Sequence, residues 1–392
     1  MRRVVVTGVG FVSSIAPTRE ATWQGMLEGR DGLGPLTKLH LPMEPAQIGG
    51  EVRVPDTSPN SFCETQALLA LEEALDGWRP DGAPRRMGVF QGAGTSSLPG
   101  AEHFLDEEAA GRRPKAARLA YNTPNTVTDA LAARLGASGP RSTVMNACSS
   151  SLLGLGQALE RIQAGELDLA VAGGAENLCR MTWSGFSSLK AVDAAKCRPF
   201  SANRAGLNLG EGGVQLILEP LELARARGAV ILAEVLGYGA SMDAHHPTAP
   251  HPEGEGAWRA MTMALRTAHV DPTRVDLVCA HGTATPANDG AECRAIRRAL
   301  GAAADRVSVT STKSQFGHTL GASGAISAAV AVLALRDQVV SPTLRLEEPD
   351  PECDLDCTPL VPKEREIRVA LVNAFAFGGN NVSLALARWE GR

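Results

Sequence analysis

Short runs of β-branched and apolar residues ending in Gly, Ser or Thr recur along this chain, separated by segments of helical period rich in Ala, Leu, Glu and Arg. In the first half the runs are residues 4–10, 87–94, 142–148 and 167–173; in the second they are 231–237, 275–282, 307–312, 368–375 and 381–387. Strands of this kind alternating with helices predict a buried, largely parallel sheet with crossover helices, an α/β fold. The similar rhythm of the two halves points to an internal duplication, spanning 1–229 and 230–392 with the join at 225–229. No flexible linker marks that join, so the halves are expected to pack as one body.

Composition narrows the class. Aromatic residues make up 4% of the 392 residues, whereas there are 41 glycines. The core must therefore be built from Ala, Val, Leu and Gly, which suits closely layered helices and sheets. A net charge of −5 disfavours a protein that binds nucleic acid through general phosphate neutralisation. The eight cysteines, at 63, 148, 179, 197, 279, 293, 353 and 357, form no CxxC pair and read as reduced thiols. Thr7, Gly8 and Gly10 interrupt the apolar N-terminus, which reads as a first strand and not as a signal peptide. The apolar stretch 325–335 is too short to span a bilayer, so a cytoplasmic protein is expected. Pro-, Gly- or charge-rich segments 31–56, 109–124, 242–255 and 347–363 are expected to be surface loops.

Four segments could carry chemistry. In STVMNACSSSLLG (142–154) a β-branched run passes through small polar residues into a helical pattern. That places Cys148 on a strand-to-helix turn, where a helix N-terminus favours a thiolate and free N–H groups can receive an oxyanion. AHGTATPAND (280–289) puts His281 at the end of an apolar run. STKSQFGHTLGASG (311–324) repeats the strand, glycine-loop and small-residue-helix pattern with Lys313 and His318. NAFAFGGNN (373–381) exposes backbone amides at a glycine pair beside an aromatic. A buried structural thiol, structural histidines and a plain turn would each explain one segment alone. Together they suggest a thiol nucleophile with two imidazole donors.

This ordered set resembles the β-ketoacyl-acyl-carrier-protein synthases, condensing enzymes of the thiolase-like fold. Further resemblance lies in RRVVVTGVG at the start, AGGAEN (172–177), CRPFSANRAGLNLGEGG (197–213) and HPTAPHPEGEGAW (246–258). The resemblance implies duplicated αβαβα layers, with Cys148 as the acyl-accepting nucleophile. His281 and His318 would then assist decarboxylation of a malonyl extender. Lys313 would be an electrostatic site residue paired with Asp289. The amides of Cys148 and Phe377 would form the oxyanion hole, Phe377 would be the gate, and Thr283 and Thr285 would hold the phosphopantetheine arm. No metal and no resident cofactor are implied, since the phosphopantetheine arrives on the acyl carrier protein.

The implied partners are that carrier, its malonyl- and acyl-thioesters, and a second subunit. The second subunit would be another copy or a chain-length-factor-like protein; neither nucleic acid nor a membrane is implied. Two other readings are a thiolase acting on coenzyme A thioesters and a non-catalytic chain-length factor. His318 stands where a thiolase would carry a second cysteine, and the intact Cys-His-His set argues against the factor.

Several positions depart from the family pattern. Ala284 replaces Gly or Ser between the two threonines and is expected to narrow the arm's channel. Ser201 and Ala205 replace aspartates, and Ser327 stands where many relatives carry Glu. No basic residue lies between Arg53 and Arg79, a region that in relatives contacts the acidic carrier, which leaves Lys190 and Thr248 as carrier contacts. These departures tilt the reading from fatty-acid synthesis toward a specialised type II polyketide or polyene pathway. Residues 178–186, with Met181 and Trp183, would wall the acyl tunnel or simply pack the core.

Overall fold

Val4–Ser13 is buried at every position but Thr7, as an apolar run covered on both faces must be. It is strand β1 of a ten-stranded sheet. The structure, a computed structural model, describes residues 1–39, 41, 47–58, 61–79, 86–96 and 98–391, so part of the loop expected at 31–56 lies outside the described residues. The N-terminal half continues with β2 (Met87–Gly92), β3 (Arg141–Val144), β4 (Leu169–Glu176) and β5 (Gly212–Pro220). The C-terminal half supplies β6 (Ala233–Met242), β7 (Leu277–Cys279), β8 (Ser308–Thr310), β9 (Val369–Ala376) and β10 (Asn380–Arg388).

Across the sheet the order is β8-β7-β9-β10-β6-β1-β5-β4-β2-β3. Read from its outer edge, each half therefore has its third, second, fourth, fifth and first strand in turn. Within the sheet the halves are joined where Val4, Val5 and Val6 of β1 pair with Val235, Glu234 and Ala233 of β6. Pairing sense is repeated as well. The three outermost strands of each half are parallel, and the remaining pairs are antiparallel. The sheet is thus mixed, not largely parallel, because the last strand of each half runs back between its neighbours. In the second half a hairpin at Gly378 and Gly379, both at positive φ, makes that reversal.

Two central helices, Ser150–Gln163 and Ser323–Asp337, each contact strands of both halves and fill the space between them. Helices Phe62–Leu75 and Thr126–Leu135 cover the outer face of the first half, and Glu255–Ala268 covers that of the second. This is the expected αβαβα layering. Glycine permits the close approaches. A Cβ on Gly10 would sit 1.7 Å from the Ala70 carbonyl of the covering helix, and one on Gly324 would meet Leu152 Cβ of the other central helix at 2.7 Å. The run Leu320–Asp337 is longer than the apolar stretch read from sequence and could by length cross a membrane, but 89% of it is buried inside the protein. It is a core helix, apolar all round because protein surrounds it.

The duplication positions the chemistry. Cys148 follows β3 and leads into one central helix; Lys313 and His318 follow β8, the equivalent strand, and lead into the other.

Candidate active site

Cys148 occupies a one-turn 3-10 helix, Ala147–Ser149, at the entry to helix Ser150–Gln163. The turn is held by its own polar residues. Ser150 Oγ accepts from the Asn146 N–H at 2.7 Å, and Ser149 Oγ donates to the Asn146 carbonyl at 2.9 Å. Ala147 is forced to φ 48°, and two other turns of the site carry the same strain, at Ala284 (66°) and Leu320 (44°). Strain of this kind costs on the order of 1–3 kcal/mol per residue and persists only where the surroundings over-determine it.

The backbone N–H groups of Phe377 and of Cys148 itself are near enough to the Cys148 sulfur to favour its thiolate. Burial pushes the thiol up to about 11, against the pull of Lys313 and of these N–H groups. One cavity of about 230 Å³ brings Cys148, His281, His318, Thr283, Thr285 and Phe377 together, with Lys190 and Thr248 also in its wall. Lys190 is exposed and Thr248 half-buried. The Phe377 ring stacks on Phe186 at 5.3 Å between centroids, so Phe186 belongs to the wall while Met181 lines a separate cavity. Trp183 is buried among Leu178, Leu207 and Leu320.

The two histidines face each other edge to face, centroids 5.3 Å apart. His318 Nδ1 accepts from the Leu320 N–H at 3.2 Å, and His281 Nδ1 lies 3.4 Å from Lys313 Nζ, which also donates to the His281 carbonyl. With both Nδ1 atoms facing donors, the proton of each neutral ring sits on Nε2. Burial first, then the Lys313 charge, holds both rings well below the ordinary 6.5, so they are neutral at pH 7. Lys313 itself is pushed down by burial to about 8, against the attraction of Glu292, Cys148 and Asp289. It stands behind His281 and does not line the cavity.

Asp289 does not bond to Lys313 as expected. Its carboxylate instead accepts from Phe200 N–H at 2.8 Å, from Ala284 N–H at 3.1 Å and from Asn288 Nδ2 at 3.1 Å, bracing the threonine turn. The strongest carboxylate influence on Lys313 comes from Glu292, which the sequence reading did not single out. Glu292 accepts from the His281 and Gly282 N–H groups, each at 2.8 Å, and from Asn373 at 3.1 Å. The signal for it was available: Asp289 and Glu292 are three apart near the start of a helix and so share one face.

Ala284 does not narrow the cavity. Its methyl is fully buried against Leu33 and Cys197, and the cavity is faced instead by its neighbours Thr283, Thr285 and Pro286. Arg204, also not singled out, holds the same turn by donating to the Thr285 and Pro286 carbonyls, each at 3.3 Å, while pairing with Asp350. Ser201 donates to the Glu348 carbonyl at 3.0 Å, and Ser327 is buried with its Oγ 3.4 Å from Thr312 Oγ1. Cys357 packs with Cys293 and Cys353 in the core of the second half and does not line the cavity.

Two buried neutral histidines make stability pH-dependent. A ring whose pKa is lowered on folding contributes in full above 6.5, and its contribution is lost as pH falls below 6.5 toward the folded value. The unfolded chain then binds the proton that the folded chain refuses. Chemical denaturation of wild type and His281→Asn between pH 7 and pH 5 should show wild type losing stability relative to the variant, by up to about 1.4 kcal/mol per pH unit. A pH-independent difference would mean that His281 is not held neutral.

Comparison with known proteins agrees with this geometry. The family description "Beta-ketoacyl synthase, N-terminal domain" matches residues 1–224, and its C-terminal counterpart matches 232–347. A 3-oxoacyl-[acyl-carrier-protein] synthase 2 of Synechocystis is 38% identical over 99% of both chains. Among solved structures, the ishigamide ketosynthase/chain length factor superposes with a TM-score of 0.93 at 34% identity, covering 99% of each chain. A type II polyketide ketosynthase, solved with its acyl-carrier protein and bound to a hexaketide, gives 0.92 at 30% identity, covering 99% of this chain and all of that one. Fold and site define a condensing enzyme of the thiolase-like fold. The chain belongs to the β-ketoacyl synthase family.

Proposed function

We propose that the chain condenses a malonyl-carrier thioester with an acyl group held on Cys148, with loss of carbon dioxide, to give a 3-oxoacyl-carrier. The observation that supports this most directly is one cavity holding a thiol met by two backbone N–H groups and two neutral imidazoles with free Nε2–H donors.

Cys148 sulfur attacks the acyl thioester carbon, and the carrier thiol leaves with the proton. Negative charge on the carbonyl oxygen falls to the N–H groups of Cys148 and Phe377, each worth roughly 3–4 kcal/mol in sites of this kind. The malonyl carboxylate then leaves as carbon dioxide, and its electron pair becomes an enolate whose oxygen the Nε2–H groups of His281 and His318 hold. The enolate carbon attacks the acyl carbon, the same two amides receive the new oxyanion, and the C–S bond to Cys148 breaks to release the thiolate, which takes a proton from water to regenerate the thiol. Lys313 supplies positive charge behind both rings, with Asp289 bracing the adjacent turn. Thr283 and Thr285 hold the phosphopantetheine arm, whose carrier docks at Lys190 and Thr248. The scheme calls for no metal and no resident organic cofactor, and the setting is the cytoplasm.

The chain pairs, on this reading, with a second copy or a chain-length-factor-like subunit. Strand β3 is a sheet edge with one neighbour, and Met145 and Met181, each about 60% exposed, stand beside it around a second cavity. Exposed apolar side chains beside an open sheet edge mark a surface that a partner covers.

Incubation of purified protein with malonyl-carrier and a panel of acyl-carriers, with and without candidate partner subunits, tests the proposal. The expected results are acylation of Cys148 by intact mass, a 3-oxoacyl-carrier product, stoichiometric carbon dioxide and a dimeric mass by light scattering. Condensation of coenzyme A thioesters without carbon dioxide release would establish the thiolase reading instead. The acyl-carriers that load best distinguish fatty-acid from polyketide substrates.

A further inference from the structure

The second cavity, about 160 Å³, is lined by Gly94, Thr95, Ser96, Met145 and Met181, and so adjoins the turn that carries Cys148. Behind its wall lies a fully buried carboxylate that the scheme above does not use. Glu176 ends strand β4, whose every residue is buried, and is itself 0% exposed. One oxygen, Oε1, accepts from the Thr95 N–H at 2.8 Å, from the Ser96 N–H and from Thr95 Oγ1 at 3.2 Å. The other, Oε2, accepts from the Gly94 N–H at 2.7 Å and from the Gly321 N–H at 3.1 Å. Gly321 directly follows Leu320, whose N–H holds His318 Nδ1.

The two segments also touch each other. A Cβ on Gly321 would lie 2.5 Å from the Gly94 nitrogen and 2.6 Å from the Ala93 carbonyl carbon. A carboxylate that shares its two oxygens between a cavity wall and a turn couples their positions, because neither can shift without leaving a buried donor or acceptor unpaired.

We propose that Glu176 is a positioning residue that ties the wall of this second cavity, at residues 94–96, to the turn that orients His318. The position of that wall is thereby transmitted to the histidine that holds the enolate. The proposal rests on the assignments of Cys148 and His318 given above. Activation of the nucleophile does not account for Glu176, since its charge opposes the Cys148 thiolate.

Glu176→Gln keeps size and shape but turns an NH₂ group toward one pair of N–H donors. It is expected to lower carbon dioxide release from malonyl-carrier at least about tenfold while acyl loading of Cys148 stays within about threefold of wild type. Amide hydrogen exchange over 318–322 should quicken. Unchanged decarboxylation, or loading that falls by the same factor, overturns the proposal.

If Glu176→Gln does not fold, Thr95→Val removes a single O–H donor and leaves the four N–H bonds. It should lower decarboxylation alone by about two- to fivefold, about the effect of one hydrogen bond, and no change there overturns the proposal as well. Failure of the underlying site assignments is separately visible, as wild-type protein that condenses without acylation of Cys148 or that releases no carbon dioxide.

Discussion

Cys148→Ala should abolish condensation, by roughly 10⁴-fold or more, the scale at which loss of a catalytic nucleophile is felt, while carbon dioxide is still released from malonyl-carrier. The two effects separate because the proposed donors to the enolate, His281 and His318, stand on other turns. The strained turn should survive the change, since Asn146, Ser149 and Ser150 make its hydrogen bonds and the Cys148 side chain makes none of them. Truncating one buried sulfur costs about 1 kcal/mol, so thermal melting should move only slightly. Intact mass should show no acyl adduct on the variant. Retained 3-oxoacyl product from purified variant would remove Cys148 as the nucleophile, whereas loss of carbon dioxide release along with condensation would place Cys148 in both half-reactions.

Some of this molecule was legible along the chain and some only across it. Nine of the ten sheet strands stand out as apolar runs with turn residues after them. The missed strand, Gly212–Pro220, is buried at every position, yet Gln215 and Glu219 break its apolar pattern. Inside the protein those residues are satisfied by partners far away in sequence: Gln215 exchanges bonds of 2.7 and 2.9 Å with Gln91, and Glu219, which also pairs with nearby Arg227, accepts from Thr7 Oγ1 at 2.6 Å. Strand direction was hidden for a similar reason, because periodicity reports burial and says nothing of a neighbour's sense.

At the site, Cys148, His281 and His318 were visible because glycine and small hydroxyl residues crowd the turns that hold them. Glu292 and Glu176 were not, although Glu176 stands in the AGGAEN segment. Their partners are backbone N–H groups, which every residue carries and no motif records. Asp289 shows the converse. The family resemblance implied an ion pair with Lys313, but the amides of Phe200 and Ala284 hold its carboxylate instead.

His318 offers the sharpest test of how the enolate is held, because its two nitrogens have separate tasks. Nδ1 satisfies the buried Leu320 N–H, and Nε2–H faces the cavity. His318→Ala removes both, and the orphaned N–H alone costs about 1–3 kcal/mol of stability. His318→Asn places an amide oxygen near the Nδ1 position and so preserves the turn without the outer donor. His318→Gln can place an amide N–H near the Nε2 position. Decarboxylation and condensation should fall about 10²–10³-fold in the Ala and Asn variants, as for loss of one preorganised donor, and recover in part in the Gln variant. Acyl loading of Cys148 should stay within a few-fold of wild type in all three, since the proposed scheme gives the carbonyl attacked there to the Cys148 and Phe377 amides. Carbon dioxide release that is unchanged in His318→Asn would sink the assignment of His318 to the enolate. Equal loss of loading and decarboxylation would show that the imidazole serves the acyl-transfer step too, which the neutral Nε2–H tautomer and the separate amide pair argue against.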